Sequence, residues 1–174
     1  LAGLLILLTT KNLIVFLIGW ELMAIGSFFA VIFEYDHAQV LKAGLNYFIQ
    51  SHIAVLLITV VFAWSISVTG NTSFDGLRAF FANSTTATQL TAMSLLIAGF
   101  GFKAGIVPFH SWLPLAHPAA PSHISAIMSG VIVKAGVYGI IRFGSMLPGA
   151  EAQMPIGSAL LVIGITSGIF GILN

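Results

Sequence analysis

The sequence predicts an all-α, polytopic transmembrane helix bundle with one discontinuous helix. Hydrophobic residues make up 58% of the 174 residues and charged residues only 6%, whereas soluble domains carry about a quarter charged residues. The apolar residues are grouped in runs of about 20, the length with which an α-helix crosses a bilayer. Four prolines lie between residues 108 and 121, and proline inside a helix removes a backbone hydrogen bond. One helix is therefore expected to be broken within the membrane.

The apolar runs predict a single transmembrane domain over residues 1–174, made of six helical segments. A partial segment at 1–9 precedes segments at 12–33, 39–64, 90–108, 122–143 and 155–173. Pro108 interrupts the 90–108 segment, and residues 65–89 form the long polar loop. Within that loop Phe74, Leu77 and Phe81 have helical spacing, so we expect an interfacial helix whose apolar face contacts lipid. Both ends lie in or beside apolar runs, which predicts a part of a longer polytopic protein.

Glycines predict two places of close helix packing. Gly99, Gly101 and Gly105 surround Lys103 in the broken helix, and we expect a neighbouring helix to approach there. Gly164 and Gly168 have the four-residue spacing through which membrane helices pack closely.

The composition argues against several kinds of site. The chain has no cysteine, so disulfides, thiolate chemistry and iron–sulfur ligation are excluded. Its formal net charge of +1 gives no basic surface for nucleic acid. The five histidines suggest haem, but His52 is the one near mid-helix, and axial ligands must face each other at matched depth. We therefore expect no cofactor, no metal and no nucleic-acid partner.

Three ionisable residues lie within apolar runs: Glu21, Lys103 and Lys134. A charged side chain at the centre of a membrane helix costs about 2.5–3.5 kcal/mol on insertion scales, and such residues mark ion or proton paths. Glu21 is the obvious counter-charge for Lys103, because both lie at mid-depth. The alternative is a static buried ion pair that only fixes helix packing.

The segment 122–143 carries His123 and Lys134, which are 11 residues apart. Three helical turns separate them with a residual rotation of about 20°, so they share a face. Gly130 and Tyr138 lie on the same stripe. This face is expected to look into a protein interior or a water-filled cavity; the alternative is that Lys134 extends its amine to the membrane surface.

The remaining histidines are secondary candidates. His110 and His117 lie in the broken segment, where they could relay protons between the two lysine helices or donate to freed backbone carbonyls. His52 lies in the 39–64 segment, either as a relay or as a packed core histidine.

Several motifs carry a family resemblance. The segment from Gly101 to Pro114, GFKAGIVPFHSWLP, continues through AHPAAPSH to Lys134 and the residues that follow it. It resembles the signature of the proton-translocating membrane subunits of respiratory complex I and of the large Mrp-type antiporter subunits. Trp20-Glu21-Leu22-Met23 resembles the glutamate helix of the same family. The AHPAAPSH wording and the Tyr47–His52 segment are most similar to the branch of hydrogenase 4 component B and formate hydrogenlyase subunit 3.

The resemblance implies a role for each matching position. Glu21 would pair with Lys103 in the discontinuous helix, Lys134 would be the central lysine, and His110 and His123 would lie in the hydrated path between them. His52, His117 and Tyr138 are secondary positions. The family's second, inverted repeat is absent from this chain, which would therefore hold one half-channel.

The resemblance also implies partners and a location. The chain would be a subunit of an oxidoreductase complex, without a redox centre of its own, in a bacterial or archaeal plasma membrane. Other membrane subunits, a peripheral redox arm and the lipid bilayer would be its partners, and protons or sodium its cargo. The resemblance implies that the turn after Phe33 faces the cytoplasm. A count of basic residues instead places the opposite side, which carries Lys11, Arg78 and Arg142, in the cytoplasm. Two alternatives stay open: a sodium/proton antiporter subunit, and a membrane scaffold that moves no ions.

Overall fold

The computed structural model describes residues 1–173, and within this range the regular structure is helical throughout. The elements are α1 (Ala2–Thr9), α2 (Leu13–Val31), α3 (Ala38–Thr69), α4 (Phe74–Asn83), α5 (Thr86–Ala104), α6 (Leu113–Ala119), α7 (Ser122–Ile127), a π-helical turn (Met128–Ile132), α8 (Val133–Gly144) and α9 (Gly149–Leu173). The predicted all-α fold is confirmed.

Four helices of residues 1–173 are long and apolar enough to cross a membrane: Leu13–Val31, Ala38–Thr69, Ser122–Gly144 and Gly149–Leu173. They correspond to four of the predicted segments, with different ends. Helix α3 continues five residues beyond the predicted end, because the first left-handed residue is Gly70, at φ 66°. Helix α9 begins at Gly149, so that Pro155 lies inside it rather than at its start.

The predicted lipid contact of the 74–81 segment is wrong. The segment forms α4, whose N-terminus is capped by the Ser73 side chain. Phe74 is 7% exposed, and Leu77 and Phe81 are fully buried. The apolar face packs against α3 and the aromatic core instead of lipid, because α4 folds back over the end of the bundle.

An aromatic cluster joins four helices at the centre of the bundle. Phe16 of α2 lies 5.3 Å from Phe143 of α8, 5.9 Å from Phe62 of α3 and 6.1 Å from Phe100 of α5, measured between ring centroids. Trp20 lies 5.1 Å from Phe100. Edge-to-face and stacked aromatic pairs at these distances stabilise packing beyond their buried area. The cluster holds α2, α3, α5 and α8 at fixed spacing around the candidate site.

Glycines allow the backbones of α5 and its neighbours to approach closely. A Cβ atom at Gly99 would lie 2.9 Å from the Ala54 carbonyl oxygen of α3, and one at Gly136 would lie 2.5 Å from the backbone nitrogen of Ala104. The prediction of a close helix approach is thus confirmed at Gly99, whereas the atoms nearest to a Cβ at Gly101 or Gly105 belong to the broken segment that follows, residues 106–113. Within residues 1–173, no atom lies within 4 Å of a Cβ placed at Gly164 or Gly168, so their predicted helix contact is not made there.

Candidate functional site: the break after helix α5

The chain breaks its helical path directly after Lys103. Helix α5 ends at Ala104, and Gly105 adopts the left-handed conformation at φ 65°. A residue with a Cβ is disfavoured in this conformation, which explains the glycine. The sequence predicted that this helix ends at Pro108. Helix α5 in fact ends four residues earlier, at Ala104. Helical structure resumes at Leu113 in α6, so the predicted discontinuous helix is present.

Side chains and backbone groups satisfy the polar atoms that the break releases. The indole N–H of Trp112 donates to the Phe102 carbonyl oxygen at 2.5 Å. The backbone N–H of Val107 donates to Ser167 Oγ of α9 at 3.0 Å. Irregular backbone at membrane depth is tolerated where protein or water supplies such partners. The break is therefore stabilised by Trp112, directly before α6, and by Ser167 of α9.

Lys103 is buried beside this break, at 1% exposure. Its Nζ donates a hydrogen bond to the Tyr47 hydroxyl oxygen of α3. The same Nζ lies 4.4 Å from the centroid of the Tyr47 ring, within the range of a cation–π contact. Within residues 1–173, no carboxylate oxygen lies within 4.0 Å of the amine. Tyr47 is thus the polar partner of Lys103.

Glu21 has a different partner from the predicted one. Its Oε2 lies 3.6 Å from His52 Nε2 of α3. The other ring nitrogen of His52, Nδ1, lies 2.9 Å from the Phe48 carbonyl oxygen, so it carries a hydrogen and donates. The Glu21 and His52 side chains are 31% and 38% exposed. In the described part of the chain, Glu21 and Lys103 do not form an ion pair, and each is held separately by α3.

Helix α3 also contacts the broken segment through polar groups. Gln50 Nε2 donates to Ser111 Oγ at 2.7 Å and to Asn46 Oδ1 at 3.0 Å. The sequence showed polar residues at 46, 47 and 50–52 inside an apolar run. Of these, only His52 was a site candidate. The roles of Tyr47 and Gln50 were missed, although polar residues inside a membrane span were the signal for them.

The two histidines of the broken segment have different surroundings. His117 Nδ1 lies 2.6 Å from Ser125 Oγ, which joins α6 to α7. His110 Nδ1 is buried without a hydrogen-bond partner in residues 1–173. The His110 ring lies 5.8 Å from the Phe170 ring of α9. His110 therefore faces α9 beside the break, with an unsatisfied ring nitrogen.

Lys134 and His123 are exposed, and neither has a hydrogen-bond or ion-pair partner within residues 1–173. The π-helical turn Met128–Ile132 lies between them, and its wider turn breaks the 3.6-residue phase used to align them. Helix α8 packs on α5 through Gly136. Two residues correspond to about 200° of helix rotation, so Lys134 points away from α5.

Tyr138 faces the first helices rather than Lys134. Its hydroxyl accepts a hydrogen bond from Arg142. Arg142 also donates to the carbonyl oxygens of Leu7, at 3.2 Å, and Thr10, at 2.9 Å. These are carbonyls at the C-terminal end of α1, where a cation is favourable. Tyr138 and Arg142 thus attach α8 to α1.

The fold and the site define a class: an integral membrane helix bundle with a lysine buried at a helix break. The family described as "NADH:quinone oxidoreductase/Mrp antiporter, TM" matches residues 10–174, and the chain belongs to this family. The resemblance read from the sequence motifs is confirmed.

Individual relatives agree with this assignment. The chain is 37% identical to hydrogenase-4 component B of Escherichia coli over 99% of its length, and 30% identical to NADH-quinone oxidoreductase subunit N of Deinococcus radiodurans over 97%. It spans 25% and 36% of those proteins. A chain of an archaeal respiratory complex, the membrane-bound sulfane sulfur reductase, has the same fold, with a TM-score of 0.83 and 20% identity over 92% of this chain and 33% of that one.

Proposed function

We propose that the chain is part of a proton-translocating subunit of a respiratory assembly of hydrogenase or complex I type, in a bacterial or archaeal plasma membrane. The observation that carries this proposal is Lys103: a fully buried amine at a helix break, without a carboxylate within 4.0 Å in residues 1–173. A buried charge without an opposite charge is costly. Such an amine is maintained where its charge has a use, and binding and releasing a proton is that use here.

Further polar groups of α3, within about one and a half turns of Tyr47, belong to the proposed path. The Glu21–His52 pair joins α2 to α3, and the Gln50–Ser111 hydrogen bond joins α3 to the broken segment. His110, whose Nδ1 is unsatisfied in residues 1–173, follows next to Ser111. Protons pass along this line by transfer between neighbouring groups and the waters that polar cavities hold. Transporters place broken helices at their ion sites for the same reason.

The position of Lys134 is a second observation that supports the proposal. It is exposed in a helix long and apolar enough to cross a membrane. An ammonium at such depth faces a protein interior or water rather than acyl chains. We propose that the exposed Lys134 and the exposed His123, which the π-helical turn separates, both border the continuation of the path and are covered by other parts of the assembly.

The names of the relatives support the proposed type of assembly. The names 'component B' and 'subunit N' denote proteins that belong to larger assemblies. This chain spans 25% and 36% of those two proteins. We propose that further membrane subunits and a peripheral redox arm are the partners. The redox reaction in that arm would supply the energy, and this subunit would hold no redox centre.

Lys103→Gln in the full-length subunit tests the proposal. Everted membrane vesicles containing the assembled complex are energised with NADH or dihydrogen, and proton uptake is followed with a pH-sensitive dye. Glutamine keeps a hydrogen-bond donor but cannot bind a proton, so proton uptake per electron transferred should fall at least about 100-fold, the lower end of the contribution of a proton-transfer group. Lys42→Gln, at an exposed position on α3, should leave it unchanged.

The same measurement separates the alternatives. Proton uptake by assembled Lys103→Gln complex equal to that of the unaltered complex would support a scaffold role. An obligatory sodium gradient would support the antiporter function.

A further inference from the structure

We propose that Tyr47 is the positioning residue for Lys103, whose amine it holds through both protonation states. This inference rests on the proposed function and adds to it a residue that the family motifs around Lys103 do not include. Tyr47 is 1% exposed and lies on α3, 56 residues before Lys103. Its hydroxyl is bonded to the Lys103 amine.

The tyrosine itself is fixed by its surroundings. Its ring centroid lies 5.0 Å from that of Trp112 in an edge-to-face arrangement. Trp112 is in turn held by its hydrogen bond to the Phe102 carbonyl oxygen, next to Lys103 in the chain. Phenol, indole and backbone therefore form one cluster across the break. The hydroxyl oxygen has little freedom to leave the amine, because both rings are buried.

The chemistry of a phenol suits a proton-carrying lysine. A phenol oxygen accepts a hydrogen bond from an ammonium, and a phenol O–H donates to a neutral amine. A carboxylate offers acceptors only, so it favours the charged amine through its opposite charge and has no hydrogen to donate to the lone pair of the neutral amine. With Tyr47, the buried amine keeps a partner in both states and remains at one place in the path.

Other charged groups do not take over this role. Of the titratable side chains on α3, α8 and α9, the helices packed on α5, Tyr47 alone is within hydrogen-bond or ion-pair distance of the Lys103 amine in residues 1–173. The carboxylate expected there, Glu21, is beside His52. Within residues 1–173, removing the hydroxyl therefore leaves the buried amine without a hydrogen-bond partner and with the aromatic ring alone beside it.

Tyr47→Phe in the full-length subunit removes the hydroxyl and keeps the ring that packs on Trp112 and faces the amine. Proton uptake per assembled complex should fall about tenfold, which corresponds to the loss of one buried hydrogen bond partner. The pH profile of proton uptake should change as well, because the hydroxyl is bonded to the amine that carries the proton. Tyr35→Phe, at an exposed turn position, is the matched control and should change neither. In a Lys103→Gln background, Tyr47→Phe should cause no additional loss, because it acts through the lysine.

Tyr47→His provides a second test, since imidazole also donates and accepts; its proton uptake should exceed that of Tyr47→Phe. The proposal is overturned if Tyr47→Phe retains the unaltered rate and pH profile while Lys103→Gln is inactive, or if Tyr47→His is less active than Tyr47→Phe. If Lys103→Gln itself is fully active, the proposed function fails, which is a different result.

Discussion

The contact between α5 and α8 predicts a large effect of one methyl group at Gly136. In Gly136→Ala the new Cβ would lie 2.5 Å from the Ala104 backbone nitrogen and 2.6 Å from the Phe100 carbonyl oxygen. Non-bonded carbon contacts are favourable at about 3.5–4.0 Å, so the two helices would have to separate by about 1 Å. The atoms in contact belong to the backbone of α5, and no side-chain rotation can relieve the overlap.

The expected cost follows from these distances. Overpacking a tight interface costs about 1–3 kcal/mol. Alanine regains about 0.5–1 kcal/mol from its better helix propensity. We therefore expect the free energy of unfolding to fall by about 1–2 kcal/mol, which is a factor of about 5–30 in the folded-to-unfolded ratio. In lipid no hydrophobic gain between the helices compensates, because the acyl chains are as apolar as the side chains.

The measurement is reversible unfolding of the purified full-length subunit in mixed micelles, with sodium dodecyl sulfate as denaturant and tryptophan fluorescence as the signal. Gly26→Ala is the matched control, because no atom lies within 4 Å of a Cβ at Gly26; it should leave stability unchanged or raise it slightly. A Gly136→Ala midpoint equal to that of the unaltered protein would show that α5 and α8 do not approach as closely as described.

Two further substitutions test the packing around the site in the same assay. Leu77→Ala, in the fully buried face of α4, should lower the free energy of unfolding by about 2 kcal/mol because it leaves a cavity. The control Leu56→Ala, at a position that is 65% exposed, should change that free energy by less than about 0.5 kcal/mol. Equal effects of the two substitutions would mean that α4 faces lipid. Arg142→Met keeps an unbranched side chain like the aliphatic part of arginine but leaves the carbonyls of Leu7 and Thr10 unpaired, at a cost of about 1–3 kcal/mol. An unchanged midpoint would show that water replaces the guanidinium there.

The elements of the fold were largely readable from the sequence, because membrane helices have a strong length and composition signal. Four membrane-length helices and the broken one were predicted, and all are present in residues 1–173. The residues at which these helices begin and end were not predicted correctly. Helix α5 stops at Gly105 rather than at Pro108, because a glycine in the left-handed conformation terminates a helix as effectively as a proline. The π-helical turn Met128–Ile132 had no sequence signal.

The candidate site was only partly readable from the sequence: Lys103 was expected at the helix break, whereas its contacts were not predicted. Lys103 was recognised because an amine in an apolar run is costly, and this argument needs no neighbours. Its partner was expected to be Glu21, since opposite charges attract. In the structure, Lys103 is hydrogen-bonded to Tyr47, and the Glu21 carboxylate lies beside His52. Depth along a helix follows from residue number, whereas the partner depends on how neighbouring helices are rotated.

The sequence by itself determined the class of protein, the membrane-length helices and the presence of ionisable side chains within apolar runs. Only the tertiary structure decided which groups meet. It placed the close helix contact at Gly136 rather than at Gly164 and Gly168, and turned the apolar face of α4 towards the core. The physical reason is that lipid and protein core are equally apolar. The apolar pattern therefore shows that a residue avoids water, while close packing and hydrogen bonding select its neighbours.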